Sequence, residues 1–166
     1  MKIIYSIRGK IDPEELLCLD EAVGCLPHRN IRNTKKAISG SSFIATARFN
    51  RKLIGIIRLI TDGGYIIHVA DMAVHPDFQR KGIGSNLLKM AISYANKLKI
   101  GTGKNLGEFS LFANTGAVEF YQNSNFSLCP NGMVLTDDPI RKKFEGDFQT
   151  KWIKRHQNKN RRATKR

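Results

Sequence analysis

Cysteine is scarce in this sequence, and the few cysteines present form no pattern. Their number is odd, three, at Cys18, Cys25 and Cys129, and their spacing matches neither a zinc site nor a disulfide framework. The four histidines, at positions 28, 68, 75 and 156, are equally scattered, so we predict no metal site. Free thiols are typical of a reducing compartment. Because the first residues also lack the pattern of a secretory signal, we expect a cytoplasmic protein.

Long hydrophobic runs are absent as well. No apolar stretch approaches the ~20 residues that a membrane-spanning helix requires, and we therefore expect no membrane association. Apolar residues nevertheless make up 41% of the 166 residues, an ordinary share for a globular protein and enough to build one hydrophobic core. These observations favour a single soluble domain over a membrane protein or a disordered chain.

Acidic residues are outnumbered, 14 against 28 lysines and arginines, and the net charge is +14. The excess is concentrated at the end, because residues 151–166 contain eight basic and no acidic residues. Residues 1–150 carry 20 basic and 14 acidic residues, a net charge of +6, which favours an anionic cofactor. With a break expected at Asp138-Pro139, we predict one domain over residues 1–140 and a basic helix or tail over residues 141–166. The tail either contacts nucleic acid or an acidic partner, or is a solvated end.

One segment combines a strand, a glycine-rich turn and a helix. The apolar run from Ile66 to Val74 ends at His75-Pro76, and an amphipathic helical pattern begins near Gly82. Free N–H groups at the start of a helix, approached closely past glycine, form a binding site for an anion. The spacing Gln79-x-x-Gly82-x-Gly84 is neither that of a Walker A loop nor that of a G-x-G-x-x-G motif.

Hydrophobic periodicity predicts further strands and helices around this segment. Asp12, Pro13 and Glu15 are typical of a helix start. The predicted strands cover residues 2–8, 43–49, 53–60, 65–74, 108–112, 126–128 and 132–135. The predicted helices cover residues 13–23, 34–38, 82–97, 115–123 and 141–156.

Two stretches of the sequence resemble one known family. Residues 69–84, VADMAVHPDFQRKGIG, resemble the pyrophosphate loop of the GNAT superfamily of acetyl-CoA-dependent N-acetyltransferases. Residues 111–121, LFANTGAVEFY, are similar to a second motif of that family. Asn125 stands shortly after it, where the family often has glycine, and asparagine also tolerates a left-handed turn. The similarity covers roughly residues 42–135, whereas the first forty residues, which shape the acceptor pocket in this family, match nothing specific.

The resemblance implies an α/β (α+β) domain with the GNAT acyl-CoA N-acyltransferase fold. This fold has a mostly antiparallel, splayed sheet of six or seven strands flanked by about four helices. The resemblance also implies acetyl-CoA as co-substrate. Its pyrophosphate would bind to the loop formed by Gln79, Arg80, Lys81, Gly82, Ile83, Gly84 and Ser85. The other residues that would bind the cofactor are Met72, Val74, Asn114 and Tyr121.

Roles in the reaction also follow from the resemblance. The N–H of Val74 would stabilise the oxyanion that develops on the thioester, and Tyr121 would protonate the leaving thiolate. His68 would take a proton from the amine acceptor, and by the two-residue period of a strand it shares a face with Val74, subject to a bulge. The alternative base is Asp71, which has the opposite parity.

We therefore predict acetyl transfer from acetyl-CoA to an amine by direct attack in a ternary complex. The alternative is a GNAT-like binding module that docks on RNA or the ribosome through its basic tail without catalysis. The partners of the enzyme would be acetyl-CoA and an amine, either a small molecule or a protein, and similar proteins often form homodimers. The acceptor amine is not identified by the sequence.

Overall fold

A five-stranded sheet organises the described part of the chain. In the computed structural model, which describes residues 2–24, 29–98 and 108–129, the strands lie side by side in chain order. Neighbours among the first four strands are antiparallel, and the fifth is parallel to the fourth. The predicted mixed fold with a mostly antiparallel sheet is therefore confirmed. The strands are β1 (Ile4–Ile7), β2 (Phe43–Phe49), β3 (Lys52–Thr61), β4 (Ile66–Val74) and β5 (Glu108–Leu111).

Four α-helices accompany these strands. They are α1 (Pro13–Ala22), α2 (Ile31–Ser39), α3 (Ile83–Lys97) and α4 (Val118–Gln122). α1 begins as predicted, because the Asp12 side chain accepts the N–H of Glu14. α2 is longer than the predicted 34–38, because it begins directly after Asn30. The Asn30 side chain caps the helix by accepting the N–H of Asn33. Single 3₁₀ turns over residues 76–78 and 115–117 precede α3 and α4.

Residues 126–128, predicted as a strand, are irregular in the structure. The N–H of Phe126 donates to the carbonyl of Tyr121 at 3.0 Å and closes the end of α4, with Asn125 in the left-handed conformation at φ 67°. The Phe126 ring packs on Phe109 and Tyr121. Its hydrophobicity therefore reflects a helix end packed on the core, and the strand prediction is wrong here. The predicted strand 132–135, helix 141–156 and division at residue 140 lie outside the described residues.

Helices cover both faces of the sheet. α3 packs on one face through the residues that periodicity predicted, including Leu87, Leu88 and Ala91, which are completely buried or nearly so. α1 packs on the opposite face through Leu16 and Leu19, which contact Ile44, Ile56 and Ala73 of the sheet. The sheet is thus the middle layer, and the two faces have separate hydrophobic clusters.

β4 contains a bulge that reverses its alternation. Arg58 of β3 lies opposite Asp71, but the next residue, Leu59, lies opposite Val69. Ala70 is therefore an extra residue without a partner on β3. Before the bulge, the odd-numbered residues of β4 face α3. After it, the even-numbered residues Met72 and Val74 pack on the α3 side.

β4 also has an open edge on the side of β5. Its pairing with β5 ends where Val69 lies opposite Leu111, so in the described ranges no strand flanks residues 70–74 on that side. The N–H of His75 donates to Ile54 of β3 at 2.9 Å. Because successive strand residues direct their backbone groups to alternate edges, Met72 and Val74 direct their N–H groups to the open edge. The predicted splay corresponds to this opening.

Candidate active site

The glycine-rich loop presents backbone N–H groups at the start of α3. Arg80 and Gly82 have positive φ values, 57° and 76°, and Gly82 is the N-cap of α3 without a side-chain capping bond. The first hydrogen bond of the helix runs from the Asn86 N–H to the Gly82 carbonyl at 3.0 Å. The N–H groups of residues 83–85 therefore have no acceptor within the helix, and the helix dipole adds positive potential there. This geometry is suited to a phosphate group.

Two polar side chains of the loop, Gln79 and Lys81, donate hydrogen bonds to backbone carbonyls nearby. The Gln79 side-chain amide donates to the Val74 carbonyl at 2.9 Å, which fixes the loop against the open edge of β4. Lys81 donates to the Asp77 carbonyl at 2.7 Å and lies 5.3 Å from the centre of the Phe78 ring. Both basic side chains of the loop, Lys81 and the neighbouring Arg80, are exposed. The backbone N–H groups are thus the groups placed to contact an anion directly, and the two exposed cations add a diffuse positive field.

Gly84, Met72 and Tyr121 lie together beside the open edge. A Cβ atom on Gly84 would lie 3.2 Å from Met72 Cε and 3.6 Å from the Phe120 ring, so glycine permits close packing at this point. The Tyr121 hydroxyl donates to Met72 Sδ at 3.3 Å. Burial raises the pKa of Tyr121 to about 12. The hydroxyl therefore keeps its proton at neutral pH and can act as a donor.

The other predicted cofactor residues have distinct positions. The Ile83 side chain is buried in the core at 1% exposure, so Ile83 can offer a ligand only its N–H group. Ser85 is exposed in the first turn of α3. Asn114 is exposed before the 3₁₀ turn that leads into α4, and in the described part of the chain its side chain makes no capping bond. Its amide is therefore available to a ligand.

His68 does not share a face with Val74. It lies opposite Ile60 of β3, and Ile60 is two residues from Arg58, whose side chain binds Asp71. His68 and Asp71 consequently point to the same face of the sheet, the face that α1 covers further along. The predicted parity is wrong, because the bulge lies between His68 and Val74 and reverses the alternation.

The His68 ring is held by β5. Its Nδ1 atom lies 3.1 Å from the Ser110 hydroxyl, because the two residues are partners in the parallel register. The Phe112 ring lies 5.4 Å away between centroids. Burial lowers the pKa of His68, against the opposing effect of Glu108. The imidazole is therefore neutral at neutral pH and able to accept a proton.

Asp71, the alternative base, belongs to a buried ion cluster. One carboxylate oxygen accepts from Arg58 and the other from Arg29. Arg29 also donates to Asp20 at 2.8 Å. Both carboxylate oxygens are therefore already engaged by guanidinium groups. The cluster instead ties the segment before α2, and α1 with it, to β4.

Sequence reasoning missed Ser110, Phe112 and Arg29 as neighbours of the predicted site residues. The contact between His68 and Ser110 joins residues 42 positions apart, and no pattern among neighbouring residues predicts it. The parallel pairing of β4 with β5 would have found both Ser110 and Phe112, if the register had been known. In the described ranges, no group of three His, Cys, Asp or Glu side chains is arranged to hold a metal ion.

Comparison with known proteins agrees with this geometry. Residues 12–126 match the model of the Acetyltransferase (GNAT) family, and the chain belongs to that family. This match includes α1, the sheet from β2 to β5, the glycine-rich loop and α4. The resemblance seen in the two sequence motifs is therefore confirmed for most of the chain.

Similar proteins carry acetyltransferase names. Histone acetyltransferase TAP1 of Glycine max is 29% identical over 143 residues, which are 80% of this chain and 59% of that protein. GCN5-related N-acetyltransferase 2, chloroplastic, of Arabidopsis thaliana is 28% identical over 152 residues, 80% of this chain and 56% of that protein. The structure of a probable acetyltransferase, SA2161 of Staphylococcus aureus, has a TM-score of 0.71, with 22% identity, and covers 80% of this chain and 99% of its own.

The chain spans only 59% and 56% of the length of these two relatives. One of them is described as chloroplastic, so the predicted cytoplasmic location stays a prediction. Within the described ranges, none of the helices has the length and apolar character needed to cross a membrane. Homodimer formation and nucleic-acid contacts through residues 141–166 also stay predictions.

Proposed function

We propose that this chain transfers the acetyl group of acetyl-CoA to an amine by direct attack in a ternary complex. One observation carries the proposal: a helix start with free N–H groups lies at the end of a strand edge whose N–H groups have no partner strand in the described ranges. Acetyl-CoA has the matching order of parts, a pyrophosphate followed by an amide-containing arm and a thioester. The loop and the edge are linked by the hydrogen bond from Gln79 to Val74, which fixes their relative position.

The cofactor would bind along the open edge of β4. Its pyrophosphate would accept hydrogen bonds from the N–H groups of residues 83–85, with the dipole of α3 favouring the negative charge. The pantetheine arm would extend along residues 70–74 as an additional strand, because among the described residues no strand flanks this part of β4 on the β5 side. Asn114, whose side chain makes no capping bond within the described ranges, lies where the chain turns away from β5 and would contact the arm.

The thioester oxygen would bind the N–H of Met72. Val74, the residue first assigned to this role, has an N–H on the same edge, but Met72 is the one that contacts the Tyr121 hydroxyl. At about 3.3 Å per residue, Met72 also lies about 13 Å along the strand from His68, compared with about 20 Å for Val74. An N–H group that binds a developing oxyanion contributes ~3 kcal/mol to catalysis. Val74 would then bind the arm.

The reaction would take place while both substrates are bound to the enzyme. The amine nitrogen attacks the thioester carbon, a C–N bond forms, and the C–S bond breaks. The Tyr121 hydroxyl, which keeps its proton because burial raises its pKa, donates to the departing sulfur. The excess proton of the amine passes to neutral His68. The distance from His68 to Met72 along the strand implies that this proton travels through water.

The acceptor would approach the face of the sheet that carries His68. Around the imidazole, Ile60 is 46% exposed, Ile66 is 46% exposed and Phe112 is 71% exposed. This surface would favour an amine that is attached to an apolar group. The Glycine max relative is named for a histone substrate. A lysine side chain has an apolar stem of this kind, so a histone lysine is one candidate.

Binding of CoA and release of its thiol test this proposal separately. CoA should raise the melting temperature, because a ligand that binds only the native state stabilises it. Acetyl-CoA should release thiol in the presence of apolar amines. Gly84→Asp should abolish both effects, because its side chain would displace Met72 and the Phe120 ring beside the cofactor edge. A thermal shift without thiol release for any amine would favour the non-catalytic binding module. Absence of any shift would refute the proposed cofactor site.

A further inference from the structure

Among the described residues, the sheet has a second edge without a partner strand, at β1. β1 pairs with β2 and is the first strand of the described sheet. The Arg8 N–H donates to the Ile44 carbonyl at 3.0 Å. By alternation, the backbone groups of Tyr5 and Ile7 point outward. The Ile7 side chain is also 54% exposed, so this edge offers both hydrogen-bonding groups and apolar surface.

An apolar groove adjoins this edge. It has a volume of about 460 Å³ and lies between β1, the start of β2 and the side of α3. Its apolar lining consists of Ile7, Phe43, Met90 and Tyr94. The rings of Phe43 and Tyr94 stack at 4.6 Å, and the Tyr94 hydroxyl donates to the Ser42 carbonyl at 3.1 Å. The groove is therefore preformed and rigid at its floor.

The charges around the groove have one sign. Arg8, Lys89 and Lys97 line it, and within the described ranges none of them takes part in an ion pair. The segments that build the groove, residues 2–11, 43–49 and 83–98, contain no aspartate or glutamate. The groove thus combines an apolar floor with an uncompensated positive rim.

These features select among the occupants of such a surface. A second copy of the chain, paired through β1, would bring the same cations together. The chain's own residues 151–166 are basic as well. Nucleic acid would match the charge, but it would use neither the apolar floor nor the outward backbone groups of β1. A strand with acidic side chains would use all three features.

We propose that β1 binds an extended acidic peptide segment of a partner protein as an additional strand. Its backbone would pair with Tyr5 and Ile7. Apolar side chains on one face of the segment would enter the groove, and carboxylates beside them would meet Arg8, Lys89 and Lys97. This interface is on the opposite edge of the sheet from the acetyl-CoA site and does not depend on the proposed reaction.

Fluorescence anisotropy with a short labelled peptide of the repeat valine–serine–glutamate–serine, in which valine and glutamate share one face of an extended strand, tests this proposal on the full chain. The combined change Lys89→Glu and Lys97→Glu should weaken binding by about tenfold or more. The matched control, Lys35→Glu with Lys36→Glu, makes the same change in net charge on α2 and should have a much smaller effect. Ile7→Pro should also weaken binding, because it removes an outward N–H while leaving the β1–β2 pairing intact.

Three outcomes would overturn the proposal. One is equal binding of the same peptide with lysine in place of glutamate, or an equal loss of binding in the α2 control. Another is that oligouridine displaces the peptide and also binds more weakly to the Lys89 and Lys97 variants. The groove would then be a nucleic-acid site. The third is a dimer in sedimentation that Ile7→Pro dissociates. Thermal melts verify that each variant is folded. If Ile7→Pro does not fold, the comparison of the two lysine-to-glutamate double variants tests the proposal.

Discussion

Gly82 and Gly63 form a matched pair for testing the cofactor loop. Their φ values are 76° and 80°, and neither would have a heavy atom within 4 Å of an added Cβ. Alanine at either position therefore brings the strain of the left-handed conformation without a clash, about 1–2 kcal/mol. For a chain of this size, we expect each variant to melt about 2–8 °C lower.

Only one of the two glycines lies where an anion would bind. Gly82 is the N-cap of α3, whereas Gly63 lies in the turn between β3 and β4. An alanine that relaxes out of the left-handed region at residue 82 would reorient the N–H groups that follow it. Each hydrogen bond lost to a charged phosphate costs about 1.5–3 kcal/mol. CoA affinity should thus fall about 10- to 100-fold in Gly82→Ala, and it should not change in Gly63→Ala.

Calorimetric titration with CoA gives the affinity of both variants, and thermal melts give their loss of stability. The expected result is similar loss of stability and a large difference in affinity. An equal fall in affinity would mean that general destabilisation explains the effect. Unchanged affinity in Gly82→Ala would refute the assignment of this helix start to the pyrophosphate.

Three further predictions concern the reacting groups and their support. Tyr121→Phe keeps the ring and removes the hydroxyl, so kcat for thiol release should fall about 100-fold or more with little change in KM; the reverse pattern would indicate a binding role. Activity should rise with pH through the pKa of His68, below its ordinary value of ~6.5 because burial lowers it. Ser110→Ala should shift the acidic limb of the pH–activity profile, and Ser110→Thr should restore it. His68→Ala should remove this limb. If none of the three variants changes the pH–activity profile, His68 is not the base. Asp71→Asn should lower the free energy of unfolding by about 3 kcal/mol in urea titrations by leaving Arg58 buried and unpaired, and a loss under 1 kcal/mol would show that the ion cluster is not structural.

Local features of the fold were predictable because they depend on neighbours in sequence. Asp12 and Pro13 start α1 through contacts within one turn. Periodicity located α3, because each buried residue is three or four positions from another. The break between β2 and β3 was also expected, and Asn50 and Arg51 form it with positive φ values of 48° and 67°. Asn125 adopts the left-handed turn expected where the family often has glycine.

The errors arise where partners distant in sequence decide the structure. The bulge at Ala70 exists only in the pairing of β4 with β3, so no pattern within β4 could place His68 on its face. Phe126 was assigned to a strand from its apolar character, which in the structure serves a helix end packed on Phe109. The turn at Gly82 before α3 was predictable because glycine spacing is local, and its role as an anion site stays a prediction, whereas the support of His68 by Ser110 requires the register of β5.

The bulge in β4 also bears on how such a protein can diverge. Even-numbered residues before Ala70, such as His68, face the side proposed for the acceptor, whereas even-numbered residues after it, such as Met72, face α3 beside the proposed cofactor edge. Under the proposed function, mutations in the two halves of one strand would act on different substrates. A lineage could then change its choice of amine in the first half while selection preserves acetyl-CoA binding in the second.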